Sequence, residues 1–380
     1  MEQPCFLRPG TMDNDPYTLD PNGDVMLLFP SGNKASPRQS VENGSQSFPL
    51  GSPTTSLMID ASAPAPDAHA AYTISDPATL SRQPPTSDVS DANEEGYMES
   101  DLVGMRVSSR HLALASPVFS RMFNGNWYEG REIRSEGIAV VVMDIWDVDT
   151  TLIIMNIMHG YAPKVPRKVD LDTLAKIAVI VDYYQCRGAV EVFADIWIDQ
   201  LKGDMPKTFG KAVLQWICIA WVFRKQTEFS AATRVALVES PGVVQTYGLP
   251  IPSRMIDTIN ESRQQGIRDA LAAIDRVIDD LSSSTHRCSF ECSSMLLGAL
   301  MKFLRLSNLI FPDPRPPYDN LSIGSLTRSM VLFARSPLWE ARLSTKGRPE
   351  WHSCRLGTLL EPIRQDMESK MNGLKLEDFE

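Results

Sequence analysis

Four residues of the C-terminal half carry metal-ligand chemistry: Cys288, Cys292, His352 and Cys354. Cysteines four apart fall on one face of a helix, while a histidine and a cysteine at i and i+2 point the same way from an extended segment. Three thiolates and one imidazole would complete a tetrahedral zinc site, tying a helix to a segment about sixty residues later. Four protein ligands close such a site, so structural zinc is the implied cofactor; a metal-dependent enzyme in the helical half would need an open position. Buried, unreactive thiols beside a surface histidine are the other reading of the same spacing.

Other residues suggest less. His159 and Cys186 would make a nucleophile pair if the fold joined them, but a histidine ending a helix more often satisfies the last carbonyls and the dipole. The sequence has no G-x-S-x-G elbow, no phosphate-binding glycine loop and no H-E-x-x-H. Catalytic residues are therefore not assigned, and the expected class is non-enzymatic. Trp216, Trp221 and Phe223, at helical spacing, read as core. In "NGNWYEG", Trp127, Tyr128 and Glu129 set two aromatic rings beside an acid in a loop after a helix end. That composition suits a protein-protein hot spot, with Trp127 simply covering the core as the alternative.

The elements that must position these groups follow from patterning. The chain has 380 residues and is 43% apolar, enough for two domains with cores. Its formal charge of -10 argues against a nucleic-acid or anionic-membrane binder, which needs clustered Lys and Arg. The most apolar run, Ala212 to Phe223, is short of a bilayer span, and the N-terminus lacks a basic start followed by an apolar stretch. An intracellular location, nucleus or cytoplasm, is the expectation. Scattered cysteines in such a compartment stay as thiols, metal ligands or packing.

From Ser31 to Ser100, 26 of 70 positions are Ser, Thr or Pro, a composition that cannot offset its ordering entropy and reads as disordered. Within it, Ser36-Pro37 and Ser52-Pro53 are candidates for proline-directed phosphorylation. Before it, "NGDVMLLFP" (Asn22 to Pro30) reads as a strand pairing with Val103 to Val107 across an expanded hairpin. Loop closure grows only logarithmically, so the expansion costs about 2 kcal/mol. Ser108 or Ser109 is placed to cap a helix through Leu114, and Ser116-Pro117 to start another. Ile138 to Asp144 reads as a buried strand, and Asp149 as the cap of a helix ending at His159-Gly160. Leu171 to Tyr184 and Val190 to Leu201 are amphipathic helices. Beyond them, helices are expected over Lys207 to Arg224, Phe229 to Val238, Pro252 past Leu281, Met295 to Leu306, and around Leu326 and Ile363.

The order strand, insertion, strand, two short helices, buried strand and three helices resembles a BTB/POZ domain of the divergent filamentous-fungal type. The residues that carry the resemblance are Gly23-Asp24-Val25, Val107-Ser108-Ser109 with Leu112, Ala115 to Phe119 and Met122-Phe123. They continue through Asp144 with Trp146-Asp147, Asn156 to Gly160, Val165-Pro166, Asp182 to Tyr184 with Cys186, and Phe193-Ala194 with Trp197 and Leu201. "CSFECSSMLLGAL", "HSCRL" and the closing "GLKLEDF" resemble the C-terminal extension of such chains. The resemblance implies an α+β BTB/POZ domain over residues 20–202, interrupted by a disordered insertion at 31–101. A disordered N-terminus, 1–19, would precede it, and an all-α domain, 203–380, would follow. It implies a module that presents a surface to another protein, such as a cullin scaffold, a transcription regulator or another BTB chain. Trp127-Tyr128-Glu129 is similar to the hydrophobic-x-Glu element by which BTB adaptors help dock a cullin, which makes a substrate adaptor of a ubiquitin ligase the alternative function. Pro4, Pro9, Gly10 and Pro16 break the N-terminal helix that many animal members exchange on dimerising.

Overall fold

The computed structural model describes residues 17–30, 102–283, 289–309, 314–333, 342–343, 349–350 and 354–379. The expected insertion, with Ser36 and Ser52, lies outside them. The described residues form an α+β architecture, mostly helical, with a small mixed sheet.

Strand β1 (Val25–Pro30) pairs antiparallel with β2 (Leu102–Val107), Val25 opposite Val107 and Pro30 opposite Leu102. The expected hairpin pairing is thus present. On its other side β1 pairs in parallel with β3 (Ala139–Val142), Val25 opposite Ala139, so β1 is the central strand. Alternation along β1 puts Val25, Leu27 and Phe29 fully inside, as a one-faced strand requires. The stretch expected as a buried strand is buried on one face only: Ala139 is inside, while Val140 and Val142 are exposed on what is an edge strand among the described residues. Tyr17 to Leu19, assigned from sequence to the disordered N-terminus, are bonded to β2; the Arg106 N–H donates to the Tyr17 carbonyl at 3.1 Å.

Helices α1 (Ser109–Ala115) and α2 (Pro117–Asn124) follow β2. Ser116 caps α2 as expected, its hydroxyl accepting the Phe119 N–H at 3.1 Å. A helix not expected from sequence, α3 (Tyr128–Glu136), precedes β3 and ends at Gly137, which takes the left-handed conformation at φ 80°. Helix α4 (Val148–Met158) is capped by Asp147 rather than Asp149, through the Thr150 N–H at 3.1 Å. Asp149 falls inside the first turn, where its charge still suits the helix dipole. Helices α5 (Leu171–Tyr184) and α6 (Arg187–Leu201) follow as read.

The helical half holds α7 (Lys211–Val222), α8 (Gln226–Glu239), α9 (Ser253–Ser282), α10 (Phe290–Leu306), α11 (Ile323–Phe333) and α12 (Leu356–Lys370), with a two-residue pair of strands, β4 (Arg342–Leu343) and β5 (Pro349–Glu350). Helix α7 is apolar nearly all round because it is enclosed: Val213 to Ala220 are all buried, and it packs on both α5 and α8. One apolar cluster therefore runs unbroken from Leu19 through α5 and α7 to Leu376. No helix among the described residues is long and apolar enough to cross a membrane.

Candidate functional site

The start of α3 collects Trp127, Tyr128 and Glu129. Trp127 occupies the N-cap position, and its side chain offers the helix no acceptor. The loop assignment of this stretch therefore stops at Asn126, and an aromatic residue at a cap hides the helix start from any reading based on Ser, Thr, Asp or Asn. Close packing fixes the helix from behind. Gly130 sits under the end of α2, where a Cβ would stand 2.5 Å from the Phe123 carbonyl oxygen. Arg134 donates to the Gly125 carbonyl at 3.2 Å, and Glu132 accepts the Val140 N–H at 3.4 Å. What remains outward is aromatic: Trp127 is 46% exposed and Tyr128 63%. Trp127 is thus only partly engaged with the interior. Beside it the Glu129 Oε2 atom is buried with no hydrogen-bond partner among the described residues.

Of the four candidate zinc ligands, Cys288 and His352 lie outside the described residues. Cys292 is buried in the first turn of α10, and Cys354 is half-buried just before α12. Helix α10 is described from Phe290, with Ser289 as its cap, and the expectation that Cys288 shares a face with Cys292 lies outside the described residues. Helices α10 and α12 pack together. No group of three or more His, Cys, Asp or Glu suited to a metal occurs among the described residues.

His159 and Cys186 are engaged separately. The His159 Nε2 accepts the Ser108 N–H at 3.0 Å, and Nδ1 lies 2.8 Å from the Met155 carbonyl. The proton therefore sits on Nδ1, and both ring nitrogens are satisfied by backbone. Burial holds this imidazole below its ordinary 6.5. The Cys186 thiol is buried and pushed up to about 12 by that burial, so it stays protonated and unreactive.

Sequence reasoning missed the polar knot around His159. Asp24, at the start of β1, accepts the Ser109 N–H at 2.7 Å and its hydroxyl at 2.6 Å. The cap of α1 thus comes from a residue 85 positions away, and Ser108, in the cap position, makes no side-chain capping bond. His111 stacks on His159 with ring centroids 4.9 Å apart. The knot joins β1, α1 and α4; only the Gly23-Asp24-Val25 motif hinted at it.

Comparison with known proteins adds no relative: no family model matches the chain, and neither a curated protein nor a solved structure does.

Proposed function

We propose that the chain is a non-enzymatic protein-interaction module of BTB/POZ type that docks a partner at the start of α3. The observation that carries this reading is the Glu129 Oε2 atom, buried with no donor among the described residues, two residues from half-exposed Trp127. A buried acceptor left unmade costs about 1–3 kcal/mol, and a partner N–H would recover that cost once the half-buried Glu129 side chain turned outward to meet it. Aromatic anchors such as Trp127 and Tyr128 are enriched in hot spots. The order of elements on which the BTB/POZ resemblance rests supports the family assignment, with α3 interposed before β3.

The spacing Trp127-x-Glu129, set on a helix start, favours a cullin scaffold as the partner and hence a substrate-adaptor role. Purification of wild-type chain and a Trp127→Ala, Glu129→Ala double variant from native cells, with identification of the co-purifying proteins, tests both readings. Partners recovered by wild type and reduced at least about tenfold by the double variant are expected. The same partners at the same recovery would overturn the docking element. Absence of a cullin from the lost set would overturn the adaptor role.

A further inference from the structure

The segment after α12, Met371-Asn372-Gly373-Leu374-Lys375-Leu376, runs along α8 and is held there as a ligand is held. Gln226 grips its backbone at two points: the Leu376 N–H donates to Oε1 at 2.8 Å, and Nε2 donates to the Leu374 carbonyl at 3.4 Å. About two turns along the same face, Thr233 accepts the Leu374 N–H at 2.9 Å and Arg234 donates to the Met371 carbonyl at 3.1 Å. Positions 226, 230, 233 and 234 line one stripe of a helix.

Side chains add a reading of sequence. Met371 and Leu376 are buried, 5% and 6% exposed, while Asn372 and Lys375 point to solvent. Gly373 passes so close to α8 that any Cβ would overlap the Ser230 carbonyl oxygen. The Phe379 ring lies under the Arg254 guanidinium, 5.8 Å from it, at the far end. Bonds to the tail's backbone supply affinity, and the buried Met371 and Leu376 with a glycine between them supply selectivity, the division of labour in extended-peptide recognition.

We propose that the α8 face is a peptide-recognition groove for a protein segment of the pattern apolar-x-Gly-Leu-x-Leu, and that the chain's own residues 371–376 are its resident occupant. A partner carrying this pattern competes with the tail for Gln226 and Thr233. The tether gives the resident tail a high effective concentration, so the groove accepts a partner only when the tail is displaced. This inference stands apart from the α3 reading, since none of its residues belongs to that surface.

The test uses full-length chains whose tails are displaced by Gly373→Ala or, independently, by Leu376→Glu. The probe is a fluorescein-labelled peptide of residues 370–379, followed by anisotropy. Both chains should bind it saturably, at least about tenfold more tightly than wild type, whose groove is filled. A probe carrying Gly373→Ala should bind about tenfold or more weakly, and Gln226→Ala in the displaced chain should weaken the normal probe similarly. A displaced chain that melts cooperatively yet fails to bind overturns the proposal, as does equal binding of the two probes. Loss of cooperative melting in both displaced chains also overturns it, because the tail would then be a fixed part of the fold.

Discussion

On α8, Gln226, Thr233 and Arg234 turn their hydrogen-bonding groups toward backbone amides and carbonyls that the chain itself delivers. At the start of α3, the Glu129 carboxylate has an oxygen buried with no donor among the described residues. Both surfaces have desolvated polar groups next to apolar ones, yet one is filled and the other is not. Desolvating a polar group is costly either way, so an internal partner turns that group into a fastening, while a missing one leaves free energy for an outside molecule to recover. In the helical half even a whole guanidinium is enclosed: Arg263, fully buried on α9, donates to the carbonyls of Ser240, Pro317, Tyr318 and Leu321 at 2.6–3.0 Å.

The largest effect that would sharpen this contrast is expected at Arg263. Arg263→Ala leaves several buried carbonyls without donors and should cost about 3–5 kcal/mol, read from urea denaturation midpoints. Arg263→Lys should rescue little, because one ammonium cannot match the planar fork that reaches four carbonyls. A loss under about 1 kcal/mol for Arg263→Ala would break the argument that filled polar sites fasten this fold.

A smaller effect is expected at the His159 knot, which is filled but titratable. Burial lowers the folded-state pKa of His159, with His111 acting in the same direction and Met155 and Asp20 opposing. The unfolded chain therefore takes up the proton first as pH falls. Stability should be level above about 6.5, decline below it, and level again once pH passes the depressed folded value. Protonated Nε2 would also face the Ser108 N–H donor-to-donor. Melting temperatures of wild type and His159→Gln between pH 7.5 and 5 check this; a decline of equal slope in both would assign it to other groups.

The smallest effect on stability belongs to the open surface. Trp127→Ala removes a side chain that is 46% exposed and should cost under about 1 kcal/mol while abolishing partner recovery. A loss of several kcal/mol by the same denaturation measurement would mean that Trp127 serves the core, and the contrast between the two surfaces would fail.

Much of the fold was legible because it rests on local pattern. The apolar run Val25 to Phe29 announces β1, and the Ser116-Pro117 cap announces α2. The apolar stripe through Ile256, Ile259, Ile267 and Ile274 gave the 30-residue α9 nearly to its ends. The candidate site was legible in composition but not in placement. Trp127, Tyr128 and Glu129 were singled out as a loop, and the helix they begin went unread because its cap has no acceptor and Gly130 interrupts its first turn.

The sequence by itself determined most of the segments that are helix or strand, α3 excepted, and which of their faces are apolar, since side-chain periodicity and capping act over a few residues. Only the tertiary structure decided which polar groups meet. Asp24 caps α1 from 85 residues away, Gln226 holds Leu376 from 150 residues away, and Glu129 meets no donor among the described residues. Hydrogen bonds act over about 3 Å whatever the separation along the chain, so their partners are fixed by packing rather than by spacing in sequence.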